Sequence, residues 1–146
     1  MRIEEARDFD RALWEVFQNY GTAYQAYARK VGVSCPTLNV LEELLHSDAI
    51  TQRDICQQTF MPKQTVNSIV SSLERQGIVA LSPSAQDHRM KTVCLTEKGY
   101  AWAESLLKPV NDAEIAALAQ FDTEDAEKLV SLLKTFYIKY QEALQL

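Results

Sequence analysis

The sequence predicts a mainly α chain with one small β-hairpin, an α+β fold, on three observations. Apolar residues recur at helical spacing toward both ends, a short alternating stretch falls between residues 78 and 95, and Gly32, Pro36, Pro62, Gly77 and Pro83 stand at the joins. With 146 residues and 47% hydrophobic content, the chain suits a single unit with its own core.

The first segment places Phe9, Leu13, Val16, Phe17, Tyr20, Tyr24, Tyr27 and Val31 three and four residues apart, one apolar stripe of a helix over about 6–30. Gly32 and the Cys35-Pro36 pair stop and restart the chain, and Leu38, Leu41, Leu44 and Leu45 mark a second helix ending near His46. Thr51 with Asp54 three residues on forms a capping box for a short helix over 52–58. Pro62, with no amide hydrogen to lose and a φ already helical, opens the next helix. Val66, Ile69, Val70 and Leu73 form its buried face, and Gly77 supplies the stop. Ile78-Val79-Ala80-Leu81 and Thr92-Val93-Cys94-Leu95 then read as two strands around a hairpin tip built from Pro83 and the polar run Ser84 to Asp87. Thr96 caps a helix with apolar positions at Trp102, Leu106, Leu107 and Val110, in which Pro109 predicts a kink. A last helix opens at Asp122 or Thr123 and carries Leu129, Val130, Leu133, Phe136, Tyr137, Tyr140 and Leu144.

Charge is unevenly placed. The net charge is −5, yet residues 51–98 hold six basic side chains against four acids, with nine against sixteen elsewhere. Within that basic middle, the exposed side of the 62–75 helix reads Gln64, Asn67, Ser68, Ser71 and Arg75, free of acids until Glu74. A solvated helix surface favours Glu, Lys and Ala, and acids repel phosphates. A short, polar, acid-free face suits a helix in a major groove, where Gln and Asn pair bidentately with adenine. Asp87-His88-Arg89 with Lys91 gathers positive charge at the hairpin tip.

Helix, helix, short helix, turn, helix, β-hairpin, long helix, helix is the order of a winged helix–turn–helix with helical extensions at both ends. The run Ile50 to Gly99 resembles the multiple antibiotic resistance regulator (MarR) family. The likeness is most specific in Lys63-Gln64-Thr65-Val66, Leu73-Glu74-Arg75-Gln76-Gly77, Asp87-x-Arg89 and Leu95-Thr96-x-Lys98-Gly99, and it extends more loosely to both flanking helical parts. The resemblance implies one unit over 1–146, with a winged helix–turn–helix lobe at 35–99 and a helical dimerisation region from 1–30 and 100–146. It implies a homodimer that regulates transcription on a pseudo-palindromic operator in double-stranded DNA, repression being the commoner outcome. Each recognition helix would enter a major groove and each wing arginine a neighbouring minor groove.

On that footing Gln64 and Asn67 are candidates for base reading, while Thr65, Ser68 and Ser71 can bond to bases or phosphates. Lys63 and Arg75 position the helix on the backbone. Arg89 suits a narrow, electronegative minor groove, Asp87 orients it, and His88 and Lys91 sit beside phosphates. Pro62 departs from the small capping residue more common in the family and removes a hydroxyl that could meet phosphate. The resemblance also implies a small aromatic or phenolic ligand between the DNA lobe and the dimer helices, with Tyr20, Tyr24, His46 and Trp102 as candidate lining.

Other classes fit poorly. The chain has no Gly-x-Gly-x-x-Gly, phosphate loop, His-Glu-x-x-His or nucleophile elbow, so no enzyme is expected. Cys35 and His46 lie eleven residues apart, about 16 Å along a helix and too far for proton transfer. Two histidines and three scattered cysteines suggest no metal, cofactor or disulfide framework. No apolar run nears the roughly 20 residues of a membrane span, and MRIEEARDFD is acidic where a signal peptide would be basic then apolar, which predicts a cytoplasmic protein. Two alternatives stand beside the DNA reading: a winged-helix module that binds protein, and a regulator that senses oxidants through Cys35, no cysteine lying near the start of the first helix.

Overall fold

The computed structural model describes residues 1–83 and 91–145. In chain order the elements are α1 (Ile3–Val31), α2 (Cys35–Leu45), β1 (Ile50–Thr51), α3 (Gln52–Thr59), α4 (Lys63–Arg75), β2 (Val79–Pro83), β3 (Lys91–Leu95), α5 (Glu97–Leu118) and α6 (Thr123–Leu144). This is the mainly helical fold with a small antiparallel sheet that the sequence predicts.

Local chemistry sets most boundaries. Gly32 takes the left-handed conformation (φ 71°) that a side chain disfavours, and its N–H turns back to the carbonyls of Ala28 and Arg29 to close α1. Ser34 Oγ accepts from the Thr37 N–H at 3.2 Å and caps α2. The expected box at α3 is present in both directions: the Asp54 N–H donates to Thr51 Oγ1 at 3.2 Å and the Thr51 N–H to Asp54 Oδ2 at 3.3 Å. At the end of α4, Gly77 (φ 69°) lets its own N–H reach Glu74 O at 2.9 Å and the Ile78 N–H reach Leu73 O at 2.9 Å, the paired bonds of a Schellman stop.

Two details differ from expectation. Pro62 stands one place earlier than predicted: its ψ of 142° is extended, so it is the cap of α4 and Lys63 is the first helical residue. The sheet has three strands in the order β1-β3-β2, because Ile50 and Thr51 pair with Val93 and Thr92. Pro109 lies inside α5, as expected, and a Lys108–Asp112 ion pair of 2.7 Å bridges the proline. Between β2 and β3 the register runs from Val79↔Leu95 to Pro83↔Lys91.

Two compact units result, Met1–Leu107 and Lys108–Leu146. The first holds the core, in which Leu38, Leu41, Ile55, Val66, Leu73, Val93 and Leu107 are buried. Each large aliphatic side chain so buried contributes about 1.5–3 kcal/mol. Tyr24, Tyr27 and Trp102 pack against that core from partly exposed positions, and the Tyr27 hydroxyl donates to Leu106 O at 2.6 Å. Of the α1 side chains only Ala28 is buried, whereas Phe9, Trp14, Phe17 and Tyr20 are exposed. In the second unit, Asp122 caps α6 by accepting from the Asp125 N–H at 2.8 Å, and Phe136 and Tyr140 stack with ring centroids 6.1 Å apart. No α6 residue is buried within the chain. Among the described residues, no helix is long and apolar enough to cross a membrane, and no group of three His, Cys, Asp or Glu could hold a metal ion.

Candidate nucleic-acid interface

Burial fixes how α4 is turned. Val66, Val70 and Leu73 lock one side into the core. At about 100° per residue, Gln64, Ser68, Ser71 and Arg75 then share an outward arc of roughly 60°. Asn67 stands on one flank of that arc and Thr65 on the other. Lys63, Gln64, Asn67, Ser68, Ser71 and Arg75 are exposed, and Thr65 is half-buried. The structure thus brings the predicted helix residues onto one surface, with Thr65 at its inner margin.

The N-terminal end of α4 is electrostatically open. Its first turn has no acidic residue and Pro62 makes no side-chain cap, so the leading N–H groups carry the positive end of the helix dipole outward beside Lys63. Such an end is suited to a phosphate oxygen. The other end is tied down: Lys98 Nζ donates to Gln76 O at 3.1 Å and Thr96 Oγ1 to Gly77 O at 2.7 Å. Arg75 lies along its own helix, Nε donating to Ser71 O at 3.3 Å.

Sequence reasoning missed contributors from α3. Arg53 and Gln57 are exposed, and with Gln52, Cys56 and Lys63 they line a hollow of about 420 Å³. Their four-residue spacing on one helix face was the available signal. In the sequence Lys98 is part of the Leu95-Thr96-x-Lys98-Gly99 motif, and its hold on the end of α4 is visible only in the fold. In the hairpin, Lys91 is exposed and pairs with Pro83, while Asp87, His88 and Arg89 lie outside the described residues.

Trp102 lines a groove of about 340 Å³ with Ser34, Thr37, Ser68, Ser72 and Gln76 among its neighbours, a lining that includes none of Tyr20, Tyr24 or His46. His46 turns to its own helix, Nδ1 lying 2.9 Å from Glu42 O. Cys35 opens α2 as a half-buried free thiol.

Comparison with known proteins adds three findings. Residues 31–90 match the model of the MarR family. The chain is 28% identical over 102 residues to an uncharacterized HTH-type transcriptional regulator, YdgJ, of Bacillus subtilis; the match covers 70% of this chain and spans 62% of that relative's length. Among solved structures it is similar to a MarR family regulator from Neisseria meningitidis (TM-score 0.77, 21% identity, 92% of this chain and 95% of that one). It is also similar to an S. aureus MepR–DNA complex (TM-score 0.72, 20% identity, 91% and 98%). At these identities the structural likeness is one of fold.

Proposed function

We propose that this chain, whose residues 31–90 match the MarR family, is a non-enzymatic, DNA-binding transcription regulator of the cytoplasm. It acts as a homodimer on a pseudo-palindromic operator, most simply as a repressor. The observation that carries the reading is α4 itself, a helix pinned by Val66, Val70 and Leu73 that turns Gln64, Ser68, Ser71 and Arg75 outward behind an acid-free first turn. A B-DNA major groove admits such a helix, its side chains reading base edges while its N-terminal amides and Lys63 hold the backbone. Arg89 from each wing takes the neighbouring minor groove, with Asp87 orienting it and His88 and Lys91 beside phosphates.

The dimer reading is supported by helices that leave their apolar sides uncovered. In α6 the exposed set includes Leu132, Leu133, Phe136, Tyr137 and Ile138, and in α1 it includes Phe9, Trp14 and Phe17. No residue of this 22-residue helix is buried in its own chain, most helical stability comes from packing an apolar face, and a second copy supplies the missing cover. The dimerisation region then comprises 1–30 and 100–146, and it spaces the two α4 helices one duplex turn apart, about 34–36 Å. A small aromatic or phenolic ligand is the corresponding control; the groove beside Trp102 supports it, because Ser68 belongs to that groove and to the outward arc of α4 alike.

Selection of bound duplexes from a random-sequence pool, followed by gel-shift titration at two salt concentrations, tests the reading. Recovery of a two-fold symmetric site whose affinity falls steeply with salt is expected. A stable monomer, or a protein that ignores every duplex at low ionic strength, overturns it. Binding that scarcely responds to salt would point instead to a protein partner.

A further inference from the structure

Phe60 meets two unfavourable conditions at one residue. It closes α3 in the left-handed region (φ 55°, ψ 20°), where a β-carbon crowds the backbone and Gly or Asn is at ease. Its ring is also 88% exposed. Single exposed apolar residues are commonplace, and left-handed caps are too, but a bulky ring that neither packs nor relaxes is doubly costly in the free chain. The next residue behaves in the opposite way, since Met61 packs against the core. The Thr59 hydroxyl meanwhile holds Ile55 O at 2.6 Å and finishes α3. Pro62 (φ −58°) then launches α4 at Lys63. The short turn is thereby fixed at both ends with the Met61 side chain inward and the Phe60 ring outward, three residues before the open end of the recognition helix.

From this placement we infer that Phe60 is a specificity residue whose ring contacts the 5-methyl group of a thymine at the edge of each half-site, next to the base pair read by Gln64. The inference rests on the DNA-binding reading above. Along a major-groove wall the thymine methyl is the apolar feature that a ring can recognise, the other base edges presenting donors and acceptors. Contact with it supplies the apolar cover that Phe60 lacks in the free protein, and it adds a preference for T·A that Lys63 and the helix amides, as phosphate ligands, cannot supply.

The test uses the full-length chain, Phe60→Gly, and Phe60→Asn as a second residue at ease in the left-handed region. The probes are the duplex recovered from the random pool and a set of duplexes in which each thymine in turn is replaced by uracil, which lacks only the methyl. Both variants should melt at or above the wild-type temperature, since backbone strain is relieved, yet bind the selected duplex about fourfold or more weakly. A single uracil replacement at the contacted thymine of either half-site should weaken wild-type binding about fourfold, the worth of one buried methyl-sized group, and leave both variants unaffected. Equal affinity of wild type and variants, or a uracil effect of the same size in all three, overturns the assignment of Phe60 while leaving the DNA reading intact. A wild-type chain that selects no duplex sinks both.

Discussion

Gly99 lies so close to Ile78 that a β-carbon on it would stand 1.9 Å from the Ile78 carbonyl oxygen. That oxygen is already engaged, accepting from the Thr96 N–H at 3.0 Å and from Thr96 Oγ1 at 3.2 Å, so it is not free to swing away. The start of α5 is therefore seated against the junction of α4 and β2 by the absence of a side chain. Gly99→Ala should destabilise the protein by about 1–3 kcal/mol, the range for forcing extra volume into a packed site. Chemical denaturation followed by circular dichroism would reveal it, and an unchanged midpoint would mean that the first turn of α5 shifts at no cost.

On the reading proposed above, two neighbours on α4 should separate reading from holding. Gln64→Ala removes a base-edge partner, so affinity for the selected site should fall by about 1–3 kcal/mol with preference relaxed at one base pair. Lys63→Ala removes a phosphate partner, so affinity should fall on all sequences alike and the salt slope should shrink by about one for each phosphate no longer neutralised. Fluorescence anisotropy on matched and mismatched duplexes at several salt concentrations checks both, and identical behaviour of the two variants would remove the division of labour.

On the reading proposed above, in which Arg89 contacts DNA and not the other copy, Arg89→Ala should weaken operator binding without altering subunit association. Binding isotherms and sedimentation velocity on the same preparation examine this, and an unaltered operator affinity would count against the wing assignment.

Phe136→Glu sets a charge within the uncovered side of α6, beside Leu132, Leu133 and Tyr140. The variant should sediment at half the wild-type mass and lose most of its operator affinity, since each half-site would then be held alone. A variant that stays dimeric would place the subunit contact elsewhere.

Much of this molecule was legible in its sequence where the determinant is local. The Thr51–Asp54 box, the Gly32 and Gly77 stops and the Asp122 cap each act over three or four residues, and each appears where spacing placed it. The polar arc of α4 was legible for the same reason, since Val66, Val70 and Leu73 define its opposite side. What escaped notice depends on distant pairing or on backbone sign. Strand β1 is two residues long and exists only because Val93 and Thr92 return alongside it. Arg53 and Lys63 come to one hollow only when α3 and α4 fold together. The left-handed φ of Phe60 cannot be inferred from a residue type that ordinarily avoids it.

The middle position of β3 also has a mechanical meaning. The strand that returns from the hairpin tip pairs on one edge with β2 and on the other with Ile50 and Thr51, and Thr51 is the residue that caps α3. On the proposed DNA-binding reading, a load that reaches Lys91 would pass along β3 to Thr51, at the root of the helix–turn–helix. Strand β3 and helix α3 are thus geared to one another through a rung two residues long.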